Sequence, residues 1–351
     1  MRIAMISTPF VAVPPRDYGG TELVVHELVE GLLERGHEVT LFATGDSDTR
    51  ASLRALYDAP QWPPEPYADL DHVSWALSQV AEGDFDIVHA HSPCALALGR
   101  LVPSARLVYT LHHAREEPLS RYYRRFPEVE FVAISRDQSR RETGVSSSAV
   151  IHHGLDPSRY HLSEPESYVC FVGRFASEKG PHTAIEASLR AGVPIRLAGD
   201  VDPTDREFAE AGVLPLLQEP SVTYLGLVGT GQKATLLAGA RALLAPIEWD
   251  EPFGLILIEA MMSGCPVVAF PRGSAPELIE EGVTGFIASS VEHLADLIRP
   301  GGAVDELDRT LTRAHAIQRF HRHRMVADYE RLYQAAPART RRAGKHPITA
   351  A

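Results

Sequence analysis

The sequence predicts an α/β protein built of two doubly wound, parallel-sheet domains that face each other across a cleft. Three observations carry that expectation. The chain has 351 residues, and at roughly 100–200 residues per domain that length suits two domains. Short β-branched runs alternate with helical stretches throughout, the pattern of crossover units and a parallel sheet. The alternation pauses at the polar stretch HLSEPES (161–167) and restarts at once with YVCFVG (168–173). The chain therefore divides into residues 1–160, a linker at 161–167 and a second domain at 168–302.

Each element follows from its local pattern. Residues 2–7 (RIAMIS) are the first strand. A Gly-rich loop leads to 21–35, where Val24, Val25, Leu28, Val29, Leu32 and Leu33 form the apolar stripe of an amphipathic helix. Gly36 sits where a glycine ends a helix in the left-handed conformation. Strands follow at 38–43, 85–90, 106–111, 130–135 and 149–153. In the second half they are 168–173, 194–199, 221–226, 241–246, 266–270 and 285–289. PGG (300–302) breaks the chain before a last helix, 303–335. The basic tail 336–351 lacks apolar periodicity and is expected to be disordered.

Composition narrows the function classes. The 44% hydrophobic content is that of a packed protein. With 34 Lys and Arg against 46 Asp and Glu the formal net charge is −12, contrary to the basic face that nucleic acid requires. The longest apolar candidate, 255–270, is interrupted by Glu259, Gly264 and Pro266, so no transmembrane helix is expected. The first fifteen residues lack a small-x-small cleavage site and read as a strand rather than a signal peptide. Cys94, Cys170 and Cys265 are too scattered for a disulfide framework or a zinc site, and a reduced, cytoplasmic enzyme is expected.

Ligands bind open parallel sheets at the carboxyl ends of their strands, so chemistry is sought there. The most specific segment is EWDEPFGLILIEAMMSGC (248–265), in which Glu251 and Glu259 lie eight residues apart. Pro252, Phe253 and Gly254 open a helix near Leu255. Glu259 falls among Leu255, Ile256, Leu257, Ile258, Ala260, Met261 and Met262, on a helix apolar nearly all round and therefore buried. A carboxylate there needs a partner, and its own helix offers no basic residue. The helix start supplies N–H groups and a positive dipole end that suit a phosphate. At ~1.5 Å per residue Glu259 lies about 7 Å further along, near the spacing between a nucleotide's diphosphate and its ribose hydroxyls. The competing account makes Glu251 a solvated loop acid and pairs Glu259 with a distant arginine.

In FVGRFASEKG (171–180), Gly173 ends a strand, and Arg174 and Lys179 follow as cations suited to a diphosphate leaving group; a solvated basic loop is the alternative. In PPRDYGGTELVV (14–25), Gly19 and Gly20 precede a helix with Thr21 and Glu22 in its first turn, where backbone can approach a phosphate. An ordinary turn and cap would look the same. Histidines close three strands: His89 and His91, His112 and His113, His152 and His153. At least one of His112 and His113 should point into the cleft. Of the Asp-x-Asp strings, only DVD (200–202) follows a strand end; surface acids explain the rest, and no metal is assigned. Residues 115–141 hold seven arginines, with Arg121, Arg124 and Arg125 beside Tyr122 and Tyr123. That segment is either an acceptor- or membrane-facing edge or a solvated helical face balanced by Glu116, Glu117, Glu128 and Glu130.

Taken together these motifs resemble the family-4 retaining glycosyltransferases (glycosyl transferases group 1), which have the GT-B fold of two Rossmann-like domains. The resemblance covers about residues 2–335. It rests on YGGTELVVHELVEGLLERGHEVTLFATGDS, DIVHAHS, YTLHH and VAIS in the first half. In the second it rests on FVGRFASEKG, EPFGLILIEAMMSGCPVVAF and GSAPELIEEGVTGFI. It implies that the second domain binds a UDP- or GDP-sugar donor. Arg174 and Lys179, following Gly173, would hold the diphosphate, Glu259 the ribose, and Glu251 with the Phe253–Leu255 backbone the donor sugar and phosphates. Backbone near Val228 would meet the base. Gly20, beside Gly19, would approach the phosphate from the other domain, and His112, in the family's Thr-x-His, would contact the sugar near its reacting carbon.

The catalytic set so implied is His112, Glu251, Arg174 and Lys179, with no cofactor and no metal. The acceptor would be a hydroxyl on a small molecule, a glycan or a lipid-linked compound, and peripheral membrane contact is compatible with that. The final helix would cross back onto the first domain. Two residues depart from the pattern: the family usually has Asn-Gly where this chain has His153-Gly154, and a smaller residue is common at His113. A nucleotide-sugar epimerase or hydrolase on the same scaffold, or a non-catalytic nucleotide-sugar-binding partner, are the alternatives.

Overall fold

The computed structural model describes residues 1–17, 19–102, 105–145 and 148–335; the expected disordered tail, 336–351, lies outside the described residues. In the first domain the elements run β1 (Arg2–Ile6), α1 (Gly20–Glu34), β2 (Glu38–Phe42), β3 (Ser52–Arg54), α2 (Pro66–Glu82) and β4 (Ile87–Ala90). They continue with α3 (Cys94–Leu98), β5 (Arg106–Thr110), α4 (Glu117–Tyr123), β6 (Glu130–Ala133), α5 (Arg136–Arg141) and β7 (Ser148–Val150). All pairings are parallel, in the order β3-β2-β1-β4-β5-β6-β7. Ile3, Ala4, Met5 and Ile6 are fully buried. That continuous apolar run, rather than alternation, is what a strand covered by helices on both faces requires. The edge strand β3 was not expected, because it is three residues long and only Leu53, between exposed Ser52 and Arg54, is apolar.

The second domain runs β8 (Val169–Val172), α6 (Pro181–Ala191), β9 (Ile195–Ala198), α7 (Arg206–Phe208), β10 (Val222–Tyr224), α8 (Thr230–Gly239) and β11 (Leu243–Ala245). After these come α9 (Leu255–Met262), β12 (Val267–Ala269), α10 (Ala275–Leu278), β13 (Gly285–Ile287) and α11 (Val291–Ile298). Its sheet is also parallel, in the order β10-β9-β8-β11-β12-β13. The predicted pair of doubly wound α/β domains is thus present. Each sheet reverses direction of growth once, between β1 and β4 and between β8 and β11. Such a switch point opens a crevice at the strand ends. The loops leaving those four strands carry Gly19 and Gly20, His91, Arg174 and Lys179, and Glu251.

The single last helix over 303–335 is corrected by the structure to a short turn and two helices, α12 (Arg309–Phe320) and α13 (Arg322–Gln334). Asp308 caps α12 through the N–H groups of Thr310 and Leu311. The break falls at His321, which is extended (φ −64, ψ 137). No glycine or proline causes it. The backbone of Leu155 does, accepting from Arg322 N and donating to Phe320 O, both at 2.9 Å. The helix is exchanged for hydrogen bonds to the end of the first domain. α12 packs on α9 and α13 on α1, so the crossing between domains happens at this break. Gly31 permits the second contact: a Cβ there would lie 2.4 Å from Val326 Cγ2.

Candidate active site

On the second domain, the loop after β11 is held in a fixed shape before α9 begins. Gly254 caps the helix at φ 78, a left-handed conformation that favours glycine. Ser274 Oγ donates to Phe253 O at 2.6 Å. Glu251 Oε2 accepts from Lys179 Nζ at 2.5 Å and from Trp249 Nε1 at 3.0 Å, and the Lys179 ammonium also sits 4.6 Å from the centre of the Trp249 ring. Arg174 pairs with Asp202 and, at 3.2 Å, with Glu178. Burial alone would raise the Asp202 carboxyl, but the Thr204 hydroxyl and N–H, with Arg174, hold it below the usual range. Asp202, retained as a metal candidate from the DVD string, is thus engaged as a turn cap and an arginine partner.

Glu259 is 2% exposed, as its apolar helix requires. The expected choice between a nucleotide and a distant arginine is answered differently. Lys233 Nζ of α8 lies 2.7 Å from Glu259 Oε1, and the Tyr160 hydroxyl donates to the same oxygen at 3.0 Å. Neither partner was identified from sequence. Lys233 is separated from Glu259 by a whole strand and loop, and only the packing of α8 on α9 joins them. The Lys233 side chain is 17% exposed, so the pair reaches solvent through the lysine.

The first domain meets this surface with the start of α1. A Cβ on Gly20 would lie 3.5 Å from Leu255 Cδ1, so the N-termini of α1 and α9 face each other across the cleft. One on Gly19 would press on Pro15 and Glu22 at about 3 Å, so the loop is crowded from within. Val228 lies half-buried in the loop before α8, and its neighbour Gly229 approaches Asp17 of the opposite loop. Gly173 ends β8 and carries its carbonyl against Gly199, where a Cβ would sit 1.9 Å away.

The strand-terminal histidines divide into distinct roles. His89 is fully buried, with Nδ1 2.6 Å from Tyr333 Oη and Nε2 2.8 Å from Thr110 Oγ1, which ties α13 to the sheet. His91 Nδ1 lies 2.7 Å from His112 Nε2. The His112 ring is half-buried and stacks on His153 at 5.7 Å, and His153 meets the edge of Phe253 at 4.8 Å. The departure at His153 therefore makes an interdomain contact. His113 is exposed; its carbonyl accepts from Gln138 Nε2 at 2.9 Å. Burial pushes His89 and His153 down to about 3, and burial with the neighbouring imidazoles holds His91 and His112 well below the ordinary value. These rings are neutral at physiological pH.

His152 Nε2 reaches Glu277 Oε1 of α10 at 2.5 Å. Glu277 also accepts from the backbone N–H groups of Arg136 and Asp137, capping α5 from the other domain. Beside it, Arg141 Nη1 bridges to Asp250 at 2.8 Å. A cavity of about 220 Å3 lies here between the domains, lined by Ala114, Arg115, Gln138, Arg141, Trp249 and Pro252 among others. In the arginine-rich segment the aromatic rings pack inward. Tyr123 is buried against Tyr109 and Phe131, Tyr122 packs on Phe126, and Arg115 and Arg124 pair with Glu117. Among the described residues no helix is long and apolar enough to cross a membrane.

The predicted residues Gly20, Arg174, Lys179, Glu251, Phe253, Gly254, Leu255 and Glu259 thus converge at the two switch points, with His112 joined to them through His153 and Phe253. Comparison with known proteins gives the family and the fold. Residues 18–159 match the family model described as Glycosyltransferase Family 4, and residues 156–300 the one described as Glycosyl transferases group 1. D-inositol 3-phosphate glycosyltransferase of Mycobacterium avium (strain 104) is 26% identical over 356 residues, covering 84% of this chain and 83% of that protein. Among solved structures, AviGT4, a glycosyltransferase involved in avilamycin A biosynthesis, is 25% identical with a TM-score of 0.72, covering 95% of this chain and 96% of its own. Anabaena HepE in complex with UDP and glucose has the same fold at 22% identity, with a TM-score of 0.74 and coverage of 96% and 100%.

Proposed function

Because the chain belongs to the family-4 glycosyltransferases of group 1 and is a glycosyltransferase of GT-B architecture, we propose that its donor is a UDP- or GDP-sugar and that transfer to a hydroxyl acceptor retains the anomeric configuration. The observation that carries this reading is the meeting of two helix N-termini, α1 at Gly20 and α9 at Leu255, beside the Lys179–Glu251 pair. Two sets of N–H groups and one ammonium converge on a space between domains, an arrangement suited to a diphosphate. HepE, solved with UDP and glucose, lends support to a uridine nucleotide.

In this reading the bond between the anomeric carbon and the diphosphate oxygen breaks, and negative charge gathers on the leaving oxygen. Lys179, Arg174 and the two helix starts stabilise that charge most at the transition state, where it is largest. The acceptor hydroxyl adds to the same face of the sugar carbon, and its proton passes to the departing phosphate. Glu251 fixes Lys179 and offers its second oxygen to the donor sugar, Glu259 takes a ribose hydroxyl, and backbone near Val228 meets the base. The cavity beside Trp249 and Arg141 admits the acceptor. These groups supply the positive charge themselves, so the proposal needs no metal.

Thermal-shift measurement against UDP, GDP and their sugars tests it directly, since a ligand that binds the folded state raises the midpoint. One nucleotide should stabilise, its sugar should be transferred to an added acceptor with the anomeric configuration kept, and exhaustive chelation should leave the rate unchanged. No shift with any nucleotide would overturn the donor assignment. An epimerised sugar, or rapid hydrolysis without acceptor, would move the reading to an epimerase or hydrolase.

A further inference from the structure

His112 is flanked by a second imidazole, that of the buried His91. His91 is 2% exposed and sits at the end of β4, stacked on His89 at 4.5 Å. Its two ring nitrogens face different neighbours. Nε2 lies 3.2 Å from Met5 Sδ, and Nδ1 lies 2.7 Å from His112 Nε2. A thioether has no proton to give, so it acts only as a weak acceptor. If His91 Nε2 were bare, two lone pairs would face each other in a buried site. The neutral ring avoids this by placing its proton on Nε2, toward Met5. Nδ1 is then a lone pair, and the contact with His112 requires a proton on His112 Nε2. A neutral His112 with its proton there has a bare Nδ1, and that atom has no hydrogen-bond partner among the described residues.

From this chain we infer that His91 is a positioning residue that fixes the tautomer of His112, so that His112 offers Nδ1 to the cleft as a hydrogen-bond acceptor. The inference rests on the reading of His112 as the side chain facing the donor sugar. Its chemical content is specific. A ring fixed this way takes a proton from a sugar hydroxyl in a hydrogen bond and does not donate one, so it selects a donor sugar that carries a hydroxyl at that place. A ring free to exchange tautomers would lose part of that selection. The groups facing the pair carry no acid: His89 and the Met5 thioether beneath His91, and His153, backed by Phe253, with the neighbouring His113 beside His112. Burial, with His89 and His153, also holds His91 in its neutral form. The tautomer is thus set by geometry in a place where full protonation is disfavoured. Orientation of one histidine by the partner of its other nitrogen is a general device.

Two measurements on the full chain test the inference. Long-range proton–nitrogen spectra of protein carrying isotope-labelled histidine, assigned by loss of signals in His112→Asn, should show the His112 proton on Nε2. In His91→Leu, which removes the acceptor, the His112 signals should shift toward a mixture of tautomers. In His91→Asn, whose side-chain oxygen can take the place of Nδ1, the Nε2–H form should return. With the nucleotide sugar that binds, His91→Leu should lower kcat/KM at least tenfold, and His91→Asn should stay within about threefold of the parent. A proton found on His112 Nδ1 in the parent protein overturns the proposal, as does a His91→Leu spectrum unchanged from the parent. If His91→Leu does not fold, the parent spectrum and His91→Asn still decide. If no nucleotide sugar is turned over, the donor reading fails while the spectra continue to read the tautomer.

Discussion

On the second domain's side of the cleft the side chains are ions held in pairs: Arg174 with Asp202, Lys179 with Glu251, Lys233 with Glu259. On the first domain's side they are neutral rings, His91, His112 and His153, the last meeting Phe253 edge-on. The contrast matches what each wall would meet in the proposed reaction. A diphosphate brings several negative charges, and a wall of balanced ion pairs can redistribute its cations toward it. A sugar ring and an acceptor hydroxyl bring dipoles, and a wall of uncharged imidazoles can bond to them without drawing in water or competing charge. The two walls should therefore fail under different perturbations, the second domain on loss of a charge and the first on acidification.

The largest effect is expected from removing one member of the Lys233–Glu259 pair, the most buried of these three. Lys233→Met leaves Glu259 without its cation, and breaking a buried pair costs ~3–5 kcal/mol. Urea denaturation should show that loss, and the midpoint shift given by the bound nucleotide should shrink. Lys233→Met combined with Glu259→Leu should recover most of the stability and none of the nucleotide response. If Lys233→Met left stability unchanged, Glu259 would have to reach solvent by another route, and the ion-pair description of this wall would fail.

The first domain's wall should respond to pH. His153 has a folded value of about 3, below the ordinary 6.5. Its neutral form is what the folded state prefers, so its contribution is complete above 6.5 and is lost as the pH falls from there toward 3. At ~1.4 kcal/mol per unit, this one ring should cost about 2 kcal/mol by pH 5. His89, His91 and His112 should steepen the decline in the same direction. His153→Asn should flatten the slope of urea stability against pH by one proton's worth. An unchanged slope would show that the acid sensitivity belongs to other groups.

How far these walls were readable in advance differs for the same reason that their chemistry differs. The central strands declared themselves because they are buried runs such as Ile3–Ile6 or Val267–Ala269, and burial leaves an apolar signature in the chain itself; the short edge strand β3 has no such run. The Glu251-to-Glu259 segment was legible because a helix start, a glycine and two acids lie within one stretch of sequence. Lys233 was not, because no motif marks it and its partner is chosen by the packing of α8 on α9. The break at His321 was invisible because it is made by Leu155, far away in the chain, and no breaker residue marks it. Of the histidines, the pattern told that they close strands; only the contact between Nδ1 of His91 and Nε2 of His112 separates the positioning ring from the one that faces the cleft.

Catalysis should be lost most selectively at the ion pair nearest the proposed leaving group. Lys179→Ala removes one ammonium from a space where charge would develop, and turnover should fall at least tenfold, about 1.4 kcal/mol at the transition state. The fold should persist, because Glu251 keeps the Trp249 N–H as a partner. Steady-state rates with circular dichroism as the control check this. Wild-type turnover in Lys179→Ala would place the charge-stabilising role elsewhere on the wall, with Arg174 as the next group to remove.

The smallest effect sits where the two kinds of wall touch. Glu277, an ion of the second domain, takes His152 and the first N–H groups of α5 from the first. Burial would raise its carboxyl, but His152 and the Arg136 and Asp137 N–H groups hold it below the ordinary carboxylate range. A group depressed in this way stabilises the fold above its unfolded value, and the stability is lost as the pH falls through the folded one. Glu277→Gln should therefore cost ~1 kcal/mol near neutrality, the scale of a lost helix cap or charged hydrogen bond. The gap between the two proteins in urea should then close once the pH falls below the carboxylate range. The contribution of His89, His91, His112 and His153 is common to both and cancels in that difference. A gap that persisted in acid would mean that the domains are held together here by shape rather than by the charge of Glu277, and the ionic character assigned to the second wall would stop short of the interface.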